Sequence, residues 1–537
     1  MRTELLLGDE AVAVAAIDAG IRGGFSYPGT PATEILECIQ ERTRGCGTVW
    51  AQWSANEKVA YEEALGMSYA GRRALVCMKH VGLNVAADPF INSALTGVNG
   101  GLVLAVADDP GMHSSQNEQD SRFYADFGKI LALEPSNQQE AYDFTRAAFD
   151  VSERFGLPVM VRLVTRLAHS RANVRMAEPV DGQASAPRPF PDPRDWTLVP
   201  LNARRRFRRL LSMQGALAGF SNEWHGNELS LRGQRGIIAC GLAINYVREA
   251  LGDAAADTVL KITSYPPPVT LIRRLVEHCS EIVVIEEGYP LVESRLGGLL
   301  GLAGKPLHGK LSGFLPECGE LSPDVVSAAF GRLPAGVTTA LGDLPPRPPS
   351  LCKGCPHSDT FRAMLDATRA YPRALLFSDI GCYTLGCLPP FEAVHSCVDM
   401  GSSIAMAHGA AQAGAFPVLC TIGDSTFTHS GMTPLLGAAR ADADMTVLIL
   451  DNATVGMTGG QETLATGDEL MVLLRGLGVR GEHLHMVEPL PKHHGRFVEL
   501  ISREIAHRGL SVIVARRPCI QIKPGRQRPT AVSTGQP

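Results

Sequence analysis

A chain of 537 residues, 45% hydrophobic and with a formal net charge of −5, can bury several cores and has the length of three or four domains. The charge balance gives no reason to expect nucleic acid, and apolar runs such as GGLVLAVA and MTVLILD are too short to span a membrane. Thirteen cysteines, odd in number and irregularly spaced, and an acidic N-terminus without a signal-type apolar region point to the reducing cytoplasm rather than to a secreted disulfide framework.

Residues 1–170 alternate helical patterns with short apolar runs, GGFSYPG, ALVCMK, GLVLAVAD and PVMVRL, which predicts an α/β domain built on a doubly wound parallel sheet. SYPGTP at 26–31 reads as a strand-end turn before a helix start, with Thr30 available either to cap that helix or to meet a ligand. WSANEKVAYEEALGMSYAG at 53–71 reads as a helix with Glu57 near its N-terminal end, where a carboxylate favours the helix dipole whether or not it has chemistry to do. KHVGLN at 79–84, with Lys79 and His80, and the stretch 108–127 read as polar loops that either shape a pocket or merely connect elements.

Residues 171–235 look like a linker containing a helix, and the Arg run RRRFRR at 204–209 is expected on a solvated helix face. A middle α/β domain spans 236–345 and shows few obvious chemical groups. After the breaker GDLPPRPPSLCKGCP, a further α/β domain covers 346–519, and residues 520–537 form a Pro-, Gln- and Arg-containing tail expected to be disordered.

The densest polar signal lies in GDSTFTHSGMTPLLGAARADADMTVLILDN at 423–452. Gly423 ends one strand and permits a tight turn, MTPLLGAARA is helical in spacing, and MTVLILD has the β-branched apolar character of a strand buried on both faces. In a parallel βαβ unit both strand ends face one edge, so Asp424 and Asn452 converge there and could share a hard cation that also holds phosphate oxygens, or could simply satisfy turn backbone. Cys352 and Cys355 form a CxxC that could open a zinc or iron–sulfur site, with Cys382 and Cys387 conceivable as its other half, although the second spacing is loose.

The collinear set SYPGTP, ANEKVAYEEALGMSYAG, MKHVGLN, DDPGMHSSQNEQDSR, CKGCPH, SDIGCYTLG, HSCVDMGSS, GDS and DNATVGMTGGQ resembles the large subunit of indolepyruvate ferredoxin oxidoreductase, from about residue 5 to 519. This family belongs to the 2-oxoacid:ferredoxin oxidoreductases, and the resemblance implies a thiamine diphosphate-binding fold with pyrimidine- and diphosphate-binding domains at 1–170 and 346–519. It implies that Glu57 contacts the aminopyrimidine, that Asp424, Asn452 and the Thr454 carbonyl hold Mg2+ against the diphosphate, and that Gly423 and Ser425 belong to the same motif. Ser425 stands where Gly is commoner, and DN replaces the usual paired Asn.

Cys355, His357, Gly381, Cys382, Met400 and Gly401 fall in segments that line the cofactor in the family, while Thr30, Lys79 and His80 are expected on the substrate side. That placement sets both cysteine pairs in cofactor loops and speaks against a metal cluster, and no iron–sulfur motif is evident in this chain. The family's tail with two CxxCxxCxxxCP runs has no counterpart after RRPCIQIKPGRQRPTAVSTGQP, so electrons are expected to leave through a second subunit or a separate ferredoxin. The expected activity is oxidative decarboxylation of a 2-oxo acid, an arylpyruvate such as indolepyruvate, in a homo- or hetero-oligomer with coenzyme A as one conceivable acyl acceptor. A non-oxidative decarboxylase or carboligase is the alternative, and a catalytically silent scaffold is a third reading.

Overall fold

The computed structural model describes residues 2–180, 192–252, 256–302, 304–332 and 349–521, and its contacts divide the chain into two compact units, Met1–Leu341 and Gly342–Pro537. Residues 522–537, most of the expected disordered tail, lie outside the described residues, as do 181–191 of the expected linker.

In the first unit, a seven-stranded sheet runs in the order Ser264–Tyr265, Ala132–Leu133, Val159–Val164, Leu102–Asp108, Ala74–Lys79, Gly23–Ser26 and Trp50–Trp53. All neighbours are parallel except the first pair. The three central strands, ALVCMK, LVLAVAD and VMVRLV, are buried at every position because helices cover both faces, which is why they read as unbroken apolar runs. A five-stranded sheet, ordered Leu307–His308, Glu281–Ile285, Arg235–Cys240, Thr258–Ile262 and Glu228–Ser230, shares one continuous hydrophobic core with it.

The segment expected as a linker is structured at both ends. Arg171–Met176 pairs antiparallel with Arg2–Leu7, and Pro200–Glu223 is a 24-residue helix. Within that helix Arg204, Arg205, Arg208 and Arg209 are exposed, but Arg206 is buried and donates to the carbonyls of Leu95 at 2.7 Å and Thr96 at 2.5 Å. The solvated-face expectation therefore fails at this residue, because the carbonyls ending helix Ala87–Thr96 need donors and Arg206 supplies them.

The middle region also carries more chemistry than its sequence suggested. Glu286 and Glu287 follow strand Glu281–Ile285 and are fully buried. Arg122, 0% exposed, donates to Asp120, to Glu286 at 2.8 Å, to the Tyr265 hydroxyl at 3.1 Å and to the carbonyls of Glu287 and Tyr289. Arg162, equally buried, donates to Asp108 at 2.7 Å and to Glu134. Burial alone would push Asp120 up, but the two guanidinium groups overcome it and hold it at about 2.

The second unit carries one six-stranded, wholly parallel sheet in the order Ser396–Cys397, Leu375–Ser378, Val418–Gly423, Met445–Asp451, Leu510–Arg516 and Leu484–Val487. Alternation along each strand splits its core in two. Val447 and Ile449 pack with Cys420, Ile422, Val512 and Val514 on one face, while Leu448 and Leu450 pack with Leu419 and Ile513 on the other.

Removing one partner of a buried ionic network leaves the others uncompensated, so Arg122→Ala is expected to destabilise the first unit by about 3–5 kcal/mol. Chemical denaturation followed by fluorescence measures this, and an unchanged midpoint would show that Asp120 and Glu286 need no guanidinium.

Candidate cofactor site

Three adjacent parallel strands of the second unit end at one edge, and the residue following each strand, or one position later, is polar and buried. Asp379 follows Leu375–Ser378, Asp424 follows Val418–Gly423, and Asn452 follows Met445–Asp451. A fourth neighbour, Leu510–Arg516, brings Cys519 to the same edge, where its N–H donates to the Asn452 carbonyl at 3.1 Å.

Asp424 opens a helical turn directly, without an intervening loop, and a π-turn at Phe427–Gly431 leads into helix Met432–Ala441. Gly423 serves a different purpose from the expected turn. Its φ of −78° suits any residue, but a Cβ there would lie 2.7 Å from the Tyr383 ring. The Asp424 carboxylate is 2% exposed; Oδ1 accepts from Ser425 N at 2.9 Å, and Oδ2 has no hydrogen-bond partner. Burial pushes its pKa well above the usual carboxylate range, and neighbouring Asp451 adds to this. Asp451 itself accepts from Thr466 and from Gly467 N at 2.7 Å.

Asn452 lies against His357, with Nδ2 and Nε2 3.4 Å apart, and its Oδ1 accepts from Thr454 N at 3.3 Å. Burial lowers the His357 pKa to about 4, so the ring is neutral near pH 7 and can accept from the Asn452 amide at Nε2. A buried carboxylate oxygen without a donor, beside an amide oxygen in a weak backbone bond, is a donor set that a hard cation completes.

Asp379, not singled out from the sequence, accepts from Gly401 N at 2.7 Å and from both N–H and hydroxyl of Ser403. It thereby fixes the start of helix Ser402–Gln412 behind half-buried Met400. Gly401 has φ +95°, and a Cβ on it would lie 2.4 Å from Ser430 Cβ, so only glycine fits. Gly381 and Cys382 precede Tyr383, whose hydroxyl donates to the Ile380 carbonyl at 3.1 Å. An acidic residue after a short strand was the available signal for Asp379.

The cysteines group differently from the CxxC pairs expected. Cys387 is exposed, whereas the Cys382 thiol is raised to about 11, first by burial and then by Cys519, Cys355 and Cys352. Cys355 is likewise raised by burial and by Cys352 and Cys519. Cys519, spaced far from the CxxC in sequence, thus acts on both thiols. Zinc at about 2.3 Å from four thiolates would hold them about 3.8 Å apart. No three of these sulfurs lie within 4.8 Å of one another among the described residues, wider than a single zinc would hold them.

In the first unit, Glu57 opens helix Glu57–Tyr69, capped by Asn56 accepting from Val59 N at 2.9 Å. It is 5% exposed and packs on Gly82, where a Cβ would come within 2.7 Å of its carboxylate, so Gly82 makes its room. KHVGLN is not a loop: Lys79 ends strand Ala74–Lys79 and His80 starts helix His80–Val85. Burial lowers the Lys79 pKa to about 8, opposed by Asp109 and Glu57, and its ammonium donates to the Ser114 carbonyl at 3.0 Å. Ser114 also donates to the Thr30 carbonyl at 3.2 Å, so the 108–127 stretch joins the two segments expected on the substrate side. Thr30 caps nothing; Thr33 Oγ1 instead accepts from Gly29 N. His80 Nε2 sits 3.1 Å from the Asn117 carbonyl, an acceptor, so Nε2 carries the hydrogen and the unpartnered Nδ1 keeps its lone pair.

Residues 14–200 match the family model for the thiamine-diphosphate-binding part of pyruvate flavodoxin/ferredoxin oxidoreductases, and residues 379–490 match the C-terminal thiamine pyrophosphate-binding domain of thiamine pyrophosphate enzymes. The chain is 39% identical to indolepyruvate oxidoreductase subunit IorA of Archaeoglobus fulgidus, over 96% of this chain and 86% of the relative. It is 36% identical to the protein of the same name from Pyrococcus abyssi, over 98% and 87%. Among solved structures, a 2-oxoglutarate:ferredoxin oxidoreductase from Magnetococcus marinus shares the fold, with a TM-score of 0.51, 18% identity and coverage of 61% of this chain and 65% of that one.

Proposed function

The chain belongs to the family of indolepyruvate oxidoreductase IorA subunits, thiamine-diphosphate-dependent enzymes that oxidatively decarboxylate 2-oxo acids, and we propose that its own substrate is an arylpyruvate such as indolepyruvate. One observation carries the site assignment. Asp424 presents a buried, unpartnered carboxylate oxygen beside Asn452 at the carboxyl edge of a parallel sheet, where a metal–diphosphate group is recognised.

Residues 346–519 are assigned to the diphosphate and residues 1–170 to the pyrimidine. Asp424, Asn452 and the Thr454 carbonyl would hold Mg2+, while His357, Gly401, Met400 and Cys382 would line the cofactor. Bound thiamine diphosphate supplies the electron sink that lets a 2-oxo acid lose carbon dioxide. Glu57 would share a proton with the aminopyrimidine ring nitrogen of the bound cofactor, a role a carboxylate can fill and an amide cannot. Lys79, charged below about pH 8, binds the substrate carboxylate, and neutral His80 accepts or returns a proton at Nδ1. The Cys352, Cys355, Cys382 and Cys519 quartet would hold a 4Fe–4S cluster that takes electrons one at a time toward a second subunit or ferredoxin. The thirteen free cysteines support a cytoplasmic location for the protein.

Anaerobic protein with thiamine diphosphate and Mg2+ is expected to release carbon dioxide from indolepyruvate and to reduce viologen once a partner subunit is supplied. Adding coenzyme A tests whether it is the acyl acceptor, and aldehyde without dye reduction would instead establish the non-oxidative decarboxylase. Glu57→Gln should fold normally yet lose about 100-fold or more in turnover; full activity would remove it from the mechanism.

Asp424→Ala should release thiamine diphosphate on desalting in Mg2+ buffer, whereas wild-type protein keeps it. Equal retention by the two would put the metal elsewhere.

Cys519→Ser should lower both bound iron, expected on the order of four per chain, and viologen reduction. Iron-free wild-type protein, or zinc in its place, would refute the cluster.

A further inference from the structure

Asp9, Glu34 and His169 lie on three separate elements of the first unit, helices Gly8–Asp18, Thr33–Arg42 and Thr165–His169, none of which carries a residue named above for cofactor or substrate. Each offers one donor atom, and the three atoms lie within 4.8 Å of one another, the one such group among the described residues. Three donors at 2.0–2.2 Å from a tetrahedral cation stand about 3.3–3.6 Å apart; His169 Nε2 and Glu34 Oε2, 3.5 Å apart, already do, and the Asp9 oxygen has at most about 1.5 Å to close.

Asp9 points to what the group is for. It is 0% exposed, and neither carboxylate oxygen has a hydrogen-bond partner, an expensive arrangement for a charged group without a counterion. Neighbouring Glu10 is already engaged, accepting from Leu7 N at 2.7 Å with Arg171 3.9 Å away, so Arg171 does not serve Asp9. His169 Nε2 stands 3.5 Å from Glu34 Oε2, too far for a good hydrogen bond but well placed for both to turn on a common centre. Glu34 and His169 are each 35% exposed at the side chain, which leaves an entrance from solvent and room for water as a further ligand.

We propose that Asp9, Glu34 and His169 bind a divalent first-row transition cation. Two carboxylates and an imidazole suit Mn2+, Fe2+ or Zn2+, and the imidazole disfavours an all-oxygen Ca2+ site. The cation neutralises Asp9 and ties together three helix ends. Glu34 lies four residues after Thr30, so the same cation steadies the 26–31 turn.

Mn2+ alone is the probe, since it leaves thiols largely unoccupied, and the full chain is titrated calorimetrically on an Asp424→Ala background to silence the cofactor metal site. One Mn2+ per chain is expected, accompanied by a rise in Tm. His169→Ala and Asp9→Asn should each weaken binding at least tenfold and remove the Tm rise, while keeping the far-UV circular dichroism. Asp9→Asn should also melt no lower than its parent without metal, because it removes a buried charge. Absence of Mn2+ binding in the parent, or undiminished binding in the well-folded Asp9→Asn protein, would overturn the proposal and leave Asp9 a buried neutral acid.

Discussion

A charge withdrawn from water must be met by an opposite charge or by donors, and this constraint organises both units. In the first unit Arg122 and Arg162 meet Asp108, Asp120, Glu134 and Glu286 within the interior, and these pairs lock the five-stranded sheet to the seven-stranded one. In the second unit Asp379 is met by backbone and hydroxyl donors at the start of helix Ser402–Gln412. Asp424 has no such counterpart for Oδ2. A cation bound there would supply it.

Parallel topology turns isolated residues into a site. Because every strand of the second sheet runs the same way, the chain need only place one polar residue after each strand for all of them to share an edge. Asp379, Asp424, Asn452 and Cys519 arrive there from four segments. Steric fit then refines the edge: Tyr383 packs where a Cβ on Gly423 would stand, and Ser430 where one on Gly401 would stand. Gly82 plays the same part for Glu57 in the first unit. Glycine is needed at these three positions for close approach, and only Gly401 also needs a positive φ.

Much of this was legible in the chain. Unbroken apolar runs such as MTVLILD announced strands buried on both faces, and the polar residues that follow them collect at one sheet edge. Other features were not. KHVGLN is polar at its start and reads as a loop, yet His80 begins a half-buried helix and its ring nitrogen finds the Asn117 carbonyl. The Arg run looked uniformly solvated, but the orphan carbonyls of Leu95 and Thr96 draw Arg206 inside. Neither partner is near in sequence, so no local pattern could reveal it.

The division follows the range of the forces involved. Strand identity and the chemistry of each terminal residue depend on neighbours a few positions away, and the sequence alone determined them, along with the resemblance that names the cofactor. Which guanidinium is drawn inside, which carboxylate is left without a donor, and which glycine makes room for Glu57 depend on atoms brought together from distant segments. Only the tertiary structure decided these, because burial and steric exclusion are properties of the packed chain and not of any window along it.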